Sequence, residues 1–187
     1  RREGHTVFLF DTTTYMNWHG SDNDKIKERN LSVRPYDNAL IKQSDKITSP
    51  VEDFKAYINR ISPDLIAFSL TEDMYANALD LLQGLTMNDR PPVVAGGVFP
   101  TFAPELALRK SNGMIDYVLI GEGEKSLPDL CRKLERRHDV STIEGIWFMQ
   151  KDGTVYRSAM PMLTDVNQDI PLPDYDLFEE SRFYRPL

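Results

Sequence analysis

The sequence has 187 residues, of which 41% are hydrophobic, and a formal net charge of -7. This length fits one domain with a small appendage, and the negative charge argues against a nucleic-acid-binding protein, which would normally carry a basic face. No apolar run approaches the roughly 20 residues of a membrane span, and the N-terminus shows no signal-peptide pattern. Cys131 is the single cysteine, which excludes disulfides and cysteine-based metal clusters built by this chain alone. We therefore expect a cytoplasmic protein that binds neither nucleic acid nor membrane.

Short apolar runs bounded by turn residues predict five strands, at residues 6–10, 31–33, 64–69, 92–95 and 116–120. The runs are continuous rather than alternating, which is typical of parallel strands covered on both faces. Four helical patterns alternate with them, over residues 51–61 and 75–87, around Leu106 after Pro104, and over 127–134. This alternation predicts a doubly wound parallel α/β sheet, Rossmann-like or flavodoxin-like, which binds ligands at the carboxyl ends of its strands.

The pattern changes after residue 140. Residues 143–149 and 154–156 flank Asp152-Gly153 and predict a β-hairpin, and residues 165–178 contain prolines without periodicity and predict an extended connector. We therefore divide the chain into an α/β domain (1–140), a hairpin appendage (141–163) and a connector (164–187). The chain begins without Met and shows no closing helix, so we expect it to be a piece of a longer protein.

The loops after three predicted strands share small residues. They are Ser69-Leu70-Thr71-Glu72, Gly96-Gly97 with the residues up to Thr101, and Gly121-Glu122-Gly123-Glu124. Together they would hollow a wide, shallow groove for a large, flat ligand, although glycines also serve turns and the hydroxyls and acids could merely cap helices. A phosphate-binding loop and a dinucleotide fingerprint are absent, and Ser69 and Gly121 stand where a phospho-receiver domain needs an acid and a lysine.

Two stretches carry a family resemblance. Residues 94–105 (VAGGVFPTFAPE) and 115–124 (IDYVLIGEGE) resemble the N-terminal cobalamin-binding domain of radical S-adenosylmethionine (SAM) enzymes, in particular the group of the anaerobic magnesium-protoporphyrin monomethyl ester cyclase. In that family a GG-x-x-P-T loop and a D-x-V-x-x-G-E-G-E strand-loop follow each other at about this distance. Residues 145–148 (GIWF), the Asp152-Gly153 hairpin and residues 170–178 (IPLPDYDLF) resemble the family's connector into its radical domain.

The resemblance implies that this chain binds cobalamin. Gly96 and Gly97 would let the backbone approach the corrin or its nucleotide tail, and Ser69 to Thr71 match the place of a hydroxyl near the nucleotide base. The cobalamin-binding residues implied are Thr12, Ser69, Leu70, Thr71, Glu72, Gly96, Gly97, Val98, Phe99, Pro100, Thr101, Gly121, Glu122, Gly123 and Glu124. The 4Fe–4S cluster, SAM and the catalytic residues would belong to a downstream radical domain, which would methylate or oxidatively cyclise its substrate.

Two departures from the family leave alternatives open. The D-x-H-x-x-G motif, whose histidine ligates cobalt from below, is absent, because Asn17 stands two residues before His19; no residue of this chain is predicted to ligate a metal. The C-x-x-x-C-x-x-C motif is also missing, so this chain alone would be inactive. One alternative is a vestigial module whose groove is filled by Phe99 and Phe102 and which serves only domain packing or a partner interaction. A weaker one is a stand-alone corrinoid carrier.

Overall fold

The computed structural model describes residues 3–13, 15, 30, 46–86, 90–162 and 174–178. The chain divides into two compact units, Arg1–Arg60 with Leu172–Leu187, and Ile61–Pro171. The second unit contains the sheet and is described first. Among the described residues, no helix is both long enough and apolar enough to cross a membrane.

A five-stranded sheet forms the centre of the second unit, and its strands lie in the order in which they occur in the chain. They are β1 (Ile66–Ser69), β2 (Val93–Gly96), β3 (Tyr117–Leu119), β4 (Ile146–Met149) and β5 (Val155–Arg157). The first three strands are parallel, whereas β4 pairs antiparallel with β3 and β5 antiparallel with β4. The predicted α/β fold is confirmed, but the sheet is mixed, because the hairpin extends it beyond β3.

The four predicted helices are present with adjusted bounds, as α1 (Pro50–Ile61), α2 (Glu72–Gln83), α4 (Pro104–Lys110) and α5 (Gly123–Arg136). Two helical elements were not predicted: α3 (Val98–Phe102), which lies in the predicted loop after β2, and a short 3-10 helix (Tyr175–Leu177) in the predicted connector. Leu106 is exposed, and α4 buries Ala107 and Leu108 instead. Met87, which the sequence pattern added to the second helix, lies outside the described residues.

Helices cover both faces of the sheet. On one face, Leu130 of α5 packs with Val94, Leu119, Ile143 and Ile146 in a single buried cluster. Side chains alternate along a strand, so the fully buried Val118 points to the other face, where α4 contacts β3 and β4. This two-sided burial explains why β2 and β3 are continuous apolar runs in the sequence.

An ion pair closes the amino edge of the sheet. The guanidinium of Arg90 lies 2.6 Å from the Asp116 carboxylate and also donates to the Gly113 carbonyl at 2.8 Å. Only 6% of the Arg90 side chain is exposed. The same Asp116 carboxylate accepts the Val93 N–H at 2.7 Å. Asp116 therefore fixes the starts of β2 and β3 relative to each other.

The first unit differs from the sequence prediction at residues 6–10. This run forms no strand with any other described residue. Its Phe10 ring instead packs on the rings of Phe54 and Tyr57 of α1, at 5.1 and 5.5 Å, and the Tyr57 hydroxyl donates to the Leu9 carbonyl at 3.1 Å. The side chain of Phe10 is thus half-buried against a helix, and among the described residues its backbone pairs with no strand. The predicted strand at 31–33 lies outside the described residues.

Candidate functional site at the carboxyl edge of the sheet

The three candidate loops are joined by hydrogen bonds at one edge of the sheet. The Leu70 N–H donates to the Gly96 carbonyl at 2.8 Å, and the Phe99 N–H donates to the Leu70 carbonyl at 3.1 Å. The Gly121 N–H donates to the Thr101 hydroxyl at 3.0 Å. The loop after β2 is therefore bonded to both neighbours, because parallel strands bring their carboxyl ends to the same edge.

The two adjacent glycines have different roles in this arrangement. Gly97 has φ +96°, and a Cβ there would lie 2.7 Å from the Leu70 nitrogen and 2.9 Å from its carbonyl oxygen. Neither atom can move without loss of the hydrogen bonds just described, so only glycine fits. At Gly96 a Cβ would meet only the Leu119 oxygen, at an ordinary 3.6 Å. The chain's own packing thus requires Gly97 and does not require Gly96.

The first loop presents hydroxyl groups on the surface. Ser69 is exposed, and its hydroxyl has no hydrogen-bond partner among the described residues. Thr71 occupies the N-cap position of α2 but makes no side-chain cap; its hydroxyl donates to the Asp73 carboxylate at 2.5 Å. Leu70 is buried and Glu72 is exposed. A helix-capping role therefore does not account for either hydroxyl.

The second loop continues into α3, which has one buried and one exposed side. Pro100 is fully buried, and the Phe99 ring lies 5.0 Å from the ring of Tyr75. The Tyr75 hydroxyl donates to the Ala107 carbonyl at 2.7 Å, and burial raises the pKa of Tyr75 to about 12. On the other side, Val98 is 62% and Phe102 85% exposed. The helix thus anchors itself through Phe99 and presents two apolar side chains to the outside.

The third loop begins at Gly121, which has φ +73°. Glu122 occupies the N-cap of α5, and its carbonyl accepts the Ser126 hydroxyl at 3.2 Å; Gly123 is the first residue of the helix, and Glu124 is exposed in its first turn. A segment that the sequence analysis did not connect with this edge also lies here: a Cβ on Gly121 would be 3.2 Å from the Met160 sulfur.

One candidate residue, Thr12, and two residues that were not predicted to bind a ligand, His19 and Cys131, lie outside the three loops. Thr12 is half-buried in the first unit, in the turn where the Asp11 carboxylate accepts the Thr13 N–H at 2.9 Å. His19 lies outside the described residues. Cys131 is half-buried on α5, and burial raises the pKa of its thiol. Within the described ranges, no three His, Cys, Asp or Glu side chains are grouped so that they could hold a metal ion.

Comparisons with known proteins find a B12-binding domain model and several similar proteins. Residues 40–131 match the model of the B12 binding domain. The hopanoid C-3 methylase of Methylococcus capsulatus is 31% identical over 136 residues, which are 71% of this chain and 25% of that protein. The anaerobic magnesium-protoporphyrin IX monomethyl ester cyclase of Synechocystis is 29% identical over 108 residues, or 56% of this chain and 21% of that protein.

A solved structure shares the fold. The cobalamin-dependent S-adenosylmethionine radical enzyme OxsB with aqua-cobalamin bound aligns with a TM-score of 0.60 and 21% identity, over 72% of this chain and 19% of that one. The chain spans between 21% and 28% of the length of the curated relatives that it matches. The match thus concerns the domain that carries the three loops.

Proposed function

We propose that this chain, which carries a B12-binding domain similar to those of cobalamin-dependent radical SAM enzymes, holds cobalamin over the carboxyl edge of β1, β2 and β3. The observation that carries the proposal is the hydrogen-bonded row of three loops at the carboxyl edge, which includes glycines and small hydroxyl residues. Ligands of α/β sheets bind at this edge.

The residues at the edge fit the chemistry of cobalamin. The corrin macrocycle offers methyl groups and flat apolar surface, and its periphery carries amide groups. Exposed Val98 and Phe102 would cover the apolar part, and the hydroxyls of Ser69 and Thr71 would hydrogen-bond to amides or to the nucleotide tail. Gly96, which the fold leaves free to vary, would allow the ligand to approach the β2 backbone.

The third loop would complete the site on one side. Residues Gly121 to Glu124 would form the wall beyond the second loop, since Gly121 is bonded to Thr101. Thr12, which belongs to the first unit, stays a contact implied by the resemblance alone. His19 is not assigned to cobalt, because the D-x-H-x-x-G motif is absent from the sequence. We therefore expect cobalamin to bind without a histidine of this chain below the metal.

The whole enzyme would perform its chemistry with a further domain. Bound cobalamin would supply the organometallic chemistry of methylation or of oxidative ring formation, while SAM and a 4Fe–4S cluster would be held by a downstream radical domain. The relatives named above include a methylase and a cyclase. Residues 1–140 would hold the cofactor, residues 141–163 would form the hairpin, and residues 164–187 would lead towards that domain.

The test is a titration of the purified chain with hydroxocobalamin and methylcobalamin, followed by desalting and an absorbance spectrum. Retained corrin with a base-off spectrum is the expected result. A histidine-ligated spectrum that His19→Ala abolishes would instead assign the lower ligand to His19. If neither this chain nor the longer natural protein retains corrin, the proposal fails and the vestigial module is correct.

A pair of variants locates the site. Val98→Asp places a charge on the exposed side of α3 and is expected to weaken retention by about tenfold or more, since a carboxylate would face the apolar corrin. Lys151→Gln changes the net charge by the same amount at the hairpin turn, which lies at the opposite edge because β4 runs antiparallel to β3. Retention by Lys151→Gln should equal that of the wild type.

A further inference from the structure

The chain returns to the carboxyl edge after the hairpin. Residues 159–162, which we call the rim strap, are tied there through Gly145. The Gly145 N–H donates to the Ala159 carbonyl at 2.9 Å, and the Gly145 carbonyl accepts the Ile120 N–H, also at 2.9 Å. Gly145 has φ +78°, and a Cβ on it would lie 2.9 Å from the Ile120 oxygen and 3.0 Å from Pro161 Cδ. The strap is therefore fixed against the end of β3.

Within the strap, Met160 and Pro161 lie directly on the third loop. A Cβ on Gly121 would be 3.2 Å from the Met160 sulfur and 3.3 Å from Pro161 Cγ. Gly121 in turn donates its N–H to Thr101, the residue before Phe102. The strap thus continues the row of three loops rather than starting a separate surface.

The strap nevertheless leaves apolar side chains in water. Met160 is 60% and Met162 87% exposed. Val98 and Phe102 are exposed on the helix that follows the second loop, so four exposed apolar side chains lie along this row of loops and the strap. Exposed apolar side chains gathered in one patch mark an interaction or ligand site more often than an ordinary surface, and a thioether adapts well to an irregular partner.

We propose that the rim strap is a fourth wall of the cobalamin groove, in which the Met160 side chain contacts the apolar edge of the corrin. This inference rests on the proposed function and adds a contact residue that lies outside the three loops. A corrin is favoured over a partner domain as the occupant, because Met160 lies on Gly121, inside the row of loops that would hold the cofactor. In this arrangement the hairpin and the strap help to position the ligand.

Hydroxocobalamin affinity of the intact chain, measured by absorbance titration, tests the strap. We expect Met160→Ala to raise the dissociation constant about tenfold, since it removes most of one apolar contact, and Met160→Leu to stay within about twofold of the wild type. Met149→Ala removes the same side chain at the end of β4, on the opposite edge, and is expected to leave the affinity unchanged. Far-UV circular dichroism of each variant confirms that it is folded.

The outcomes separate the two proposals. Wild-type binding with an unchanged dissociation constant for folded Met160→Ala would overturn the strap as a wall while the cobalamin site stands, and would favour a partner domain on these side chains. An equal loss in Met160→Ala and Met149→Ala would also overturn it, because the effect would then not be specific to the edge. Failure of the wild type and of the longer natural protein to bind would overturn both proposals.

Discussion

Alanine substitution at the two adjacent glycines should separate the needs of the fold from those of the ligand. In Gly97→Ala the new Cβ would lie 2.7 and 2.9 Å from the backbone nitrogen and oxygen of Leu70. Both atoms are held in place, since Leu70 donates to Gly96 and accepts from Phe99. The first two loops must therefore move apart to admit one methyl group.

The cost of that movement has two parts. The backbone at Gly97, with φ +96° and ψ -169°, is a conformation that alanine adopts only at about 1–3 kcal/mol. Weakening of the two hydrogen bonds at Leu70 adds about 1–2 kcal/mol. We expect a total loss of about 2–5 kcal/mol in the free energy of unfolding, a large share of the roughly 5–15 kcal/mol of a typical domain. Gly96→Ala, with its nearest contact at 3.6 Å, should change it by less than about 1 kcal/mol.

Urea unfolding followed by far-UV circular dichroism measures both variants. The steric argument is refuted if Gly97→Ala and Gly96→Ala have the same free energy of unfolding. A corrin titration of Gly96→Ala then tests whether the ligand needs a glycine at this position. A variant that is fully stable but retains less cobalamin would show that the ligand, rather than the fold, requires a glycine at this position.

Two further predictions concern the other parts of the second unit. Arg90→Met should lower the free energy of unfolding in urea by about 2–4 kcal/mol, because it leaves the Asp116 carboxylate at the strand starts without its buried partner. Arg109→Ala removes one side of an exposed ion pair and should lower it by less than about 1 kcal/mol. Equal losses in the two variants would contradict this. Burial raises the pKa of Tyr75 from its ordinary value of 10.0 to about 12, so the folded protein keeps the hydroxyl protonated at pH values where the unfolded chain ionises it. The contribution of this hydroxyl to the stability of the fold is therefore complete below pH 10 and is lost as the pH rises through 12. Thermal unfolding between pH 9 and 12 should therefore show a smaller alkaline loss of stability in Tyr75→Phe than in the wild type, and identical pH profiles would count against the burial of this hydroxyl.

Local pattern predicted most of the second unit. The runs that became β2 and β3 are continuous because helices cover both faces, and the Asp152-Gly153 turn places Gly153 at φ +82° in a two-stranded hairpin. The run at residues 6–10 has the same apolar character, yet its Phe10 packs on α1. Val7 and Phe8 are exposed and Phe10 is half-buried against a helix, so a short apolar run by itself predicts neither a strand nor full burial.

The sequence predicted that the three loops lie together, but it did not predict that the rim strap lies beside them. Three loops that follow parallel strands must lie at one edge, so their proximity follows from the topology alone. The position of Met160 depends instead on the hairpin, whose length and antiparallel pairing return the chain to that edge. A signal was present in the sequence at Gly145, just before β4, because a glycine before a strand often marks a close approach of another backbone.

The loops owe their arrangement to the chain itself, and this bears on how cobalamin would bind. Each contact between neighbouring loops is a backbone hydrogen bond or a bond from a backbone N–H to Thr101, and Gly97 is shaped by the Leu70 backbone. Loops held in this way keep their arrangement without a ligand, so cobalamin binding would not have to offset the entropy lost in ordering three loops. A low cobalamin affinity of this chain, compared with a protein that also carries the proposed downstream domain, would then measure the contacts that this domain adds above the corrin. It would not indicate that the groove itself is incomplete.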